Sequence, residues 1–182
     1  MTSFAKMLAT ALFTTLIAGA PAMAQAVTVD YDHSINFLKF KSYTLQKVHA
    51  TDPEVESRLT IAIDRDLQAR YLHTEDKDPD LIVAVVEANQ DKQEYSTFYD
   101  GLTGLSWQRG WGSGGFLDAT ATVQDVPAGT LVFDMWDGKT KKLIWRGMIT
   151  EPAAVTSAKE ADQKMDKAVG QLLASFPPKF KK

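Results

Sequence analysis

The side chains best suited to acid–base chemistry are three histidines, His33, His49 and His73. No two stand four residues apart, and neither H-E-x-x-H nor H-x-x-x-H occurs, so no helix face can offer a histidine pair to a metal ion. Asp30, Asp32 and His33 are adjacent and carry oxygen and nitrogen donors. On an extended strand Asp30 and Asp32 share one face while His33 points to the other, which reads as a solvated strand end. Asp64 and Asp66 would stand about 200° apart around a helix, too far to act as a carboxylate pair. These spacings predict no catalytic residue, no metal site and no cofactor.

Two glycine patterns invite a phosphate reading and fail it. Gly138, Lys139 and Thr140 match the end of a phosphate-binding loop, but the position five before Gly138 is Phe133 where that loop needs glycine. The surrounding pattern is a hairpin, with no helix to aim backbone N–H groups at a phosphate. The run Gly110 to Gly115 opens no helical pattern either, which argues against dinucleotide binding. Ser113 is not a nucleophile elbow, since Trp111 occupies the place of the first glycine.

One stretch stands apart in composition. Between Tyr95 and Phe116, 22 residues hold six of the chain's 18 aromatics and six of its 11 glycines. The rings are Tyr95, Phe98, Tyr99, Trp107, Trp111 and Phe116, with Arg109 placed between the two indoles where it can stack on either. Glycine resists regular structure, and aromatic rings offer large apolar faces with few torsions to freeze. That mixture suits an adaptable contact surface for a sugar ring, a peptide or another protein, with Tyr95, Tyr99, Trp107, Arg109 and Trp111 as the expected contacts. The competing expectation is a long glycine-bent hairpin whose rings fold back on the sheet.

The elements that would position such a stretch read clearly. Val27 to Tyr31 alternates as a strand, and Phe40 to Leu45 repeats the signal. Asp52 and Pro53 then cap a helix whose apolar stripe runs Val55, Leu59, Ile63, Leu67 and Tyr71. Thr74 to Asp80 reads as a charged turn, and Leu81 to Val86 as a central strand buried on both faces. Asp118 to Gln124 alternates, and Gly129 ends a turn. Leu131 to Trp136 and Leu143 to Ile149 flank Asp137, Gly138 and Lys139 as a hairpin. Across it, Asp134 and Arg146 are expected to form a surface pair worth under about 1 kcal/mol. Ser157 and Glu160 form a capping box for a closing helix that ends at Phe176, Pro177 and Pro178, before a basic tail. The expected architecture is α+β: a largely antiparallel sheet of about six strands with two amphipathic helices packed on one face.

Met1 to Ala24 reads as a signal peptide: Lys6, an apolar run from Met7 to Ala18, a break at Gly19 to Pro21, and Ala22, Met23 and Ala24 as cleavage site. The run is about a dozen residues where a spanning helix needs about 20, so an uncleaved anchor is the lesser alternative. Cleavage leaves 158 of the 182 residues as a single domain from Gln25 and moves the formal charge from −3 to −4. That charge gives no reason to expect nucleic acid. The chain has no cysteine, which excludes disulfides, thiolate metal sites and a lipid-modified N-terminal cysteine.

Several of these residues together resemble a family. Val27 to Asp32 with Phe40 to Tyr43, then Gly129 to Val132, Asp134, Leu143 to Gly147 and the helix ending at Phe176 to Pro178, are similar to the bacterial envelope family called domain-of-unknown-function family 4136. Its members place a glycine-rich aromatic stretch similarly. The resemblance implies an exported protein, often a lipoprotein, and brings no catalytic residue with it. The missing cysteine departs from the lipoprotein pattern and makes a soluble periplasmic or secreted protein the expectation. A non-enzymatic binding module for an envelope protein, glycan or small ligand is the leading functional reading. A small-molecule or lipid carrier is the second, and a hydrolase that assembles His33, His49 or His73 only in three dimensions is the third.

Overall fold

The computed structural model describes residues 26–88, 102, 126, 129–150 and 158–178. Six strands form one sheet: β1 (Ala26–Tyr31), β2 (Ser42–His49), β3 (His73–Thr74), β4 (Leu81–Ala88), β5 (Thr130–Asp137) and β6 (Leu143–Thr150). Their order across the sheet is β1-β6-β5-β4-β2-β3. Two helices, α1 (Pro53–Ala69) and α2 (Ala158–Leu172), complete the elements, with 3-10 turns at Phe37–Lys39 and Leu173–Ser175.

The sheet is mixed, which corrects the expectation of a largely antiparallel one. β1 with β6, β6 with β5 and β5 with β4 pair antiparallel. β2, however, lies parallel to both β4 and β3. The cause is the helix between β2 and β4. A crossover helix carries the chain back to the end of the sheet at which β2 began, so the strands on either side run the same way. β3 sits in the stretch expected as the start of a turn. It is only two residues long, and its ladder continues in the Glu75 N–H donating to the Tyr43 carbonyl at 2.8 Å. The strand expected over Asp118 to Gln124, the capping serine Ser157 and the tail beyond Pro178 lie outside the described residues.

Both helices cover one face, as their apolar stripes require. Leu59, Ala62, Ile63 and Leu67 of α1 and Ala168, Val169 and Leu172 of α2 share a core with Tyr43, Leu81, Val83, Val85, Leu131, Phe133, Met135, Trp145 and Ile149. Asp52 caps α1, its Oδ1 accepting the Glu54 N–H at 2.8 Å, with Pro53 in the first turn. On the solvent side Arg58 Nε meets Asp162 at 3.3 Å and Arg65 Nη2 meets Asp166 at 2.7 Å, bracing one helix against the other. Gly147 makes the close approach possible. A Cβ there would come within 2.4 Å of the Trp145 ring and 2.9 Å of Leu172 Cδ1.

Tyr71 departs from its expected place on the α1 stripe. The helix ends at Ala69, Tyr71 has φ 65°, and 93% of its surface is exposed. The Tyr71 N–H donates to the Gln68 carbonyl at 2.9 Å and the Leu72 N–H to the Leu67 carbonyl at 3.3 Å. These two bonds are the Schellman closure, whose left-handed residue is usually glycine. Leu72 makes the accompanying apolar contact in the core, so the i+4 stripe passes to it while the tyrosine is turned outward. A non-glycine residue in this conformation costs about 1–2 kcal/mol, partly offset by its smaller unfolded-state entropy. Tyr71→Gly therefore stabilises the fold by about 0.5–1 kcal/mol in urea unfolding; a loss of stability would contradict the left-handed closure.

Candidate functional site

The structure separates the sequence candidates. His33 packs its ring 4.3 Å from that of Tyr31, His73 is exposed in β3, and His49 Nδ1 lies 3.4 Å from Glu56 Oε2 where β2 meets α1. Asp32 is a turn residue, its Oδ1 accepting the Ser34 N–H at 2.9 Å. Asp64 and Asp66 serve different partners. Asp64 accepts from the Tyr43 hydroxyl and, at 2.7 Å, from Gln68 Nε2, whereas Asp66 pairs with Arg70 at 2.8 Å. Burial first, and the Asp64 carboxylate second, hold the Tyr43 hydroxyl above its ordinary pKa, so it stays a proton donor to α1. Among the described residues no group of three or more histidines and carboxylates could hold a metal ion.

Gly138, Lys139 and Thr140 form the hairpin tip. Asp137 Oδ1 accepts the N–H groups of Lys139 and Thr140, both at 2.9 Å, and its Oδ2 lies 3.5 Å from Lys39 Nζ. A Cβ on Gly138 would stand 1.8 Å from the Pro79 carbonyl oxygen, and its N–H donates to the Asp80 carbonyl at 2.8 Å. This glycine lets the tip touch the start of β4.

The sheet face away from the helices carries a buried cluster and an ion pair that composition did not reveal. Ile82, Ala84, Val86 and Ala88 of β4, Val132 and Trp136 of β5 and Leu143 of β6 form a second buried cluster, with Met148 packed against it. Leu102 and Val126, from the chain between β4 and β5, pack on the same cluster. Across its middle, register aligns Asp30 with Arg146, Arg146 with Asp134, Asp134 with Ala84 and Ala84 with Lys47. This row carries alternating charge on β1, β6 and β5, is neutral at Ala84 on β4, and ends at Lys47 on β2, across a largely apolar face.

Asp134 and Arg146 are the centre of that row. Arg146 Nε donates to Asp134 Oδ1 and Nη2 to Asp134 Oδ2, a planar two-bond fork. The side chains are only 3% and 1% exposed for Arg146 and Asp134, which corrects the expected surface pair. The signal was available in the sequence. Asp134 interrupts Leu131 to Trp136 and Arg146 interrupts Leu143 to Ile149, and an ionised residue inside a strand buried on both faces must find a partner. Beside the pair, the Trp136 indole N–H is buried and has no hydrogen-bond partner among the described residues.

Tyr95, Tyr99, Trp107, Arg109 and Trp111 lie outside the described residues. Of the stretch from Tyr95 to Phe116 the structure places Leu102, which is buried against the second face.

The fold and this two-faced sheet define a class of small α+β domain. The chain belongs to the family described as a domain of unknown function (DUF4136), whose profile matches residues 27–178. A DUF4136 family protein from Bacteroides thetaiotaomicron VPI-5482 has a similar structure, with TM-score 0.58 and 16% identity over 84% of this chain and 96% of that one. Looser likenesses, of fold alone, are to the PelC dodecamer from Paraburkholderia phytofirmans and a PDZ domain protein from Parabacteroides distasonis ATCC 8503. The first has TM-score 0.48 and 8% identity over 83% of this chain and 96% of that one. The second has TM-score 0.49 and 13% identity over 85% of this chain and 35% of that one. No curated protein matches the chain. Among the described residues no helix is long and apolar enough to cross a membrane.

Two outcomes follow from the charges. Asp134→Ala removes both bonds of the fork from the buried Arg146 guanidinium and destabilises by about 3–5 kcal/mol in denaturant unfolding, while Asp134→Leu with Arg146→Met recovers most of that loss. A single variant costing less than about 1 kcal/mol would mean water reaches the pair. For Asp137, burial by itself raises the pKa. The Thr140 and Lys139 N–H groups and the Lys39 ammonium outweigh it and hold the carboxyl below its ordinary value. A lowered folded pKa adds stability above about pH 4 that is lost as pH falls through the folded value. The stability difference between the wild type and Asp137→Asn should therefore shrink on acidification below about pH 4; a difference that grew would reverse the sign.

Proposed function

We propose that the chain is an exported envelope protein that binds rather than catalyses, and that the aromatic-glycine stretch is its contact surface. Tyr95, Tyr99, Trp107, Arg109 and Trp111 are the contacts, and the partner is an envelope protein, a glycan or a small ligand presenting a flat apolar or ring surface. The observation that carries this reading is the concentration of rings and glycines in 22 residues together with the seating of Leu102 from that stretch on the second sheet face. Leu102 fixes one point of the stretch on the sheet, and each point fixed in advance lowers the entropic cost of association. The signal-peptide pattern at Met1 to Ala24 supports export. The histidines support binding over catalysis, since His33, His49 and His73 occupy three separate settings.

The test is retention of partners from an envelope extract by the wild type and by Trp107→Ala with Trp111→Ala, alongside thermal unfolding. The double variant loses the retained species and keeps its melting temperature to within about 3 °C. Two indoles packed as core would instead cost several kcal/mol and lower melting by about 10 °C or more, which would remove the proposal.

A further inference from the structure

The β5–β6 hairpin marks the end of the sheet opposite the one from which the β4–β5 segment departs. At this end the β1–β2 connection, the close of α1 and the hairpin tip are knitted together by backbone contacts. Asp80 Oδ2 accepts the Lys41 and Ser42 N–H groups at 2.8 and 3.3 Å, and its carbonyl accepts from Gly138. The His73 N–H donates to the Lys41 carbonyl at 2.9 Å, and Lys39 reaches Asp137 across to the hairpin.

The side chains this end leaves outward form a consistent set. Lys39, Lys41, Lys139, Lys141 and Lys142 are all exposed on a chain whose net charge is −3. Of the two carboxylates among them, Asp80 Oδ2 and Asp137 Oδ1 are turned onto backbone N–H groups, and Asp137 Oδ2 pairs with Lys39. Leu38 is 60% exposed beside Lys39, and Tyr71 is almost wholly exposed two residues before His73. Leu38 and Tyr71 thus flank the Lys41–His73 pairing, and both are large apolar side chains held in solvent. The β3–β4 turn, with Glu75, Asp76 and Asp78, carries the opposite charge and sets the border of the patch.

We infer that this end docks on an anionic phospholipid surface. Leu38 enters the interface, the Tyr71 ring lies at headgroup depth, and the lysines face lipid phosphates, their apolar stems against the acyl boundary and their ammonium groups in water. An exposed leucine next to Lys39, at an end of the sheet that leaves four more lysines exposed, suits a surface that is apolar beneath and anionic above. A soluble polyanion would engage the lysines and leave Leu38 unused. Each lysine near an anionic bilayer strengthens partitioning about fivefold. The inference concerns a different end of the sheet from the proposed contact stretch and does not depend on it.

The test is sedimentation of the full-length chain with phosphatidylcholine vesicles and with mixed phosphatidylcholine–phosphatidylglycerol vesicles, at low and high salt. All variants keep the same N-terminus, so any contribution from residues 1–24 is common to them. The wild type sediments preferentially with the phosphatidylglycerol vesicles, and salt weakens this. Lys139→Glu with Lys142→Glu lowers the partition by about 25-fold or more. Leu38→Ser lowers it about tenfold while leaving retention on a soluble polyanionic polysaccharide unchanged. Leu38→Ala, with part of the apolar contact kept, falls between. Equal binding to both vesicle types, vesicle binding indifferent to these substitutions, or retention on the polysaccharide without vesicle binding would each overturn the inference.

Discussion

The fork between Asp134 and Arg146 constrains the structure more tightly than any other contact. Two ionised groups that are almost completely buried hold together only with good geometry and with water excluded. The geometry comes from the β5–β6 ladder, which sets the two residues directly opposite each other. That register must then absorb the hairpin tip, and it does so with an extra residue, Ile144, between Trp145 and Leu143. Exclusion of water comes from the second cluster around the pair, to which Leu102 and Val126 contribute from the chain between β4 and β5. The long connection is therefore part of the fold at two points, because the face beneath it carries charge that has to be kept dry.

A sheet covered on both faces explains where rigidity and adaptability fall. β4 and β5 are buried along almost their whole length, and both Trp136 and Trp145 are sealed in the interior. The chain's other two tryptophans, Trp107 and Trp111, belong to the glycine-rich stretch. On the reading proposed above, the interior indoles stiffen the sheet and the glycine-flanked pair meets the partner. At the opposite end, short connections pinned by Asp80 and Asp137 keep lysines and two large apolar side chains outward.

Much of this was legible in the sequence wherever local chemistry decides. Asp52 and Pro53 fix the start of α1, the unbroken run from Leu81 announces a strand buried on both faces, and Asp137 with Gly138 specifies the hairpin. Tertiary pairing was not legible. β3 is too short to carry a pattern, and the parallel placing of β2 arises from a crossover helix rather than from alternation. Tyr71 fits the i+4 stripe by spacing alone, but the Schellman closure turns the chain there and gives the inward place to Leu72. Hairpin position alone places Asp134 and Arg146 at the surface, where such pairs usually lie. The apolar residues on both sides of each were the stronger signal. For the aromatic-glycine stretch, composition remains the guide, joined now by the position of Leu102.

The most direct measurement is acrylamide quenching of tryptophan fluorescence in the native protein, read on wild type and on a variant lacking Trp107 and Trp111. If the stretch holds its indoles ready for a partner, roughly half of the emission is readily quenched, and that accessible fraction disappears in the variant. Emission that resists quenching as uniformly as Trp136 and Trp145 should would show all four indoles inside the protein, leaving no open contact surface.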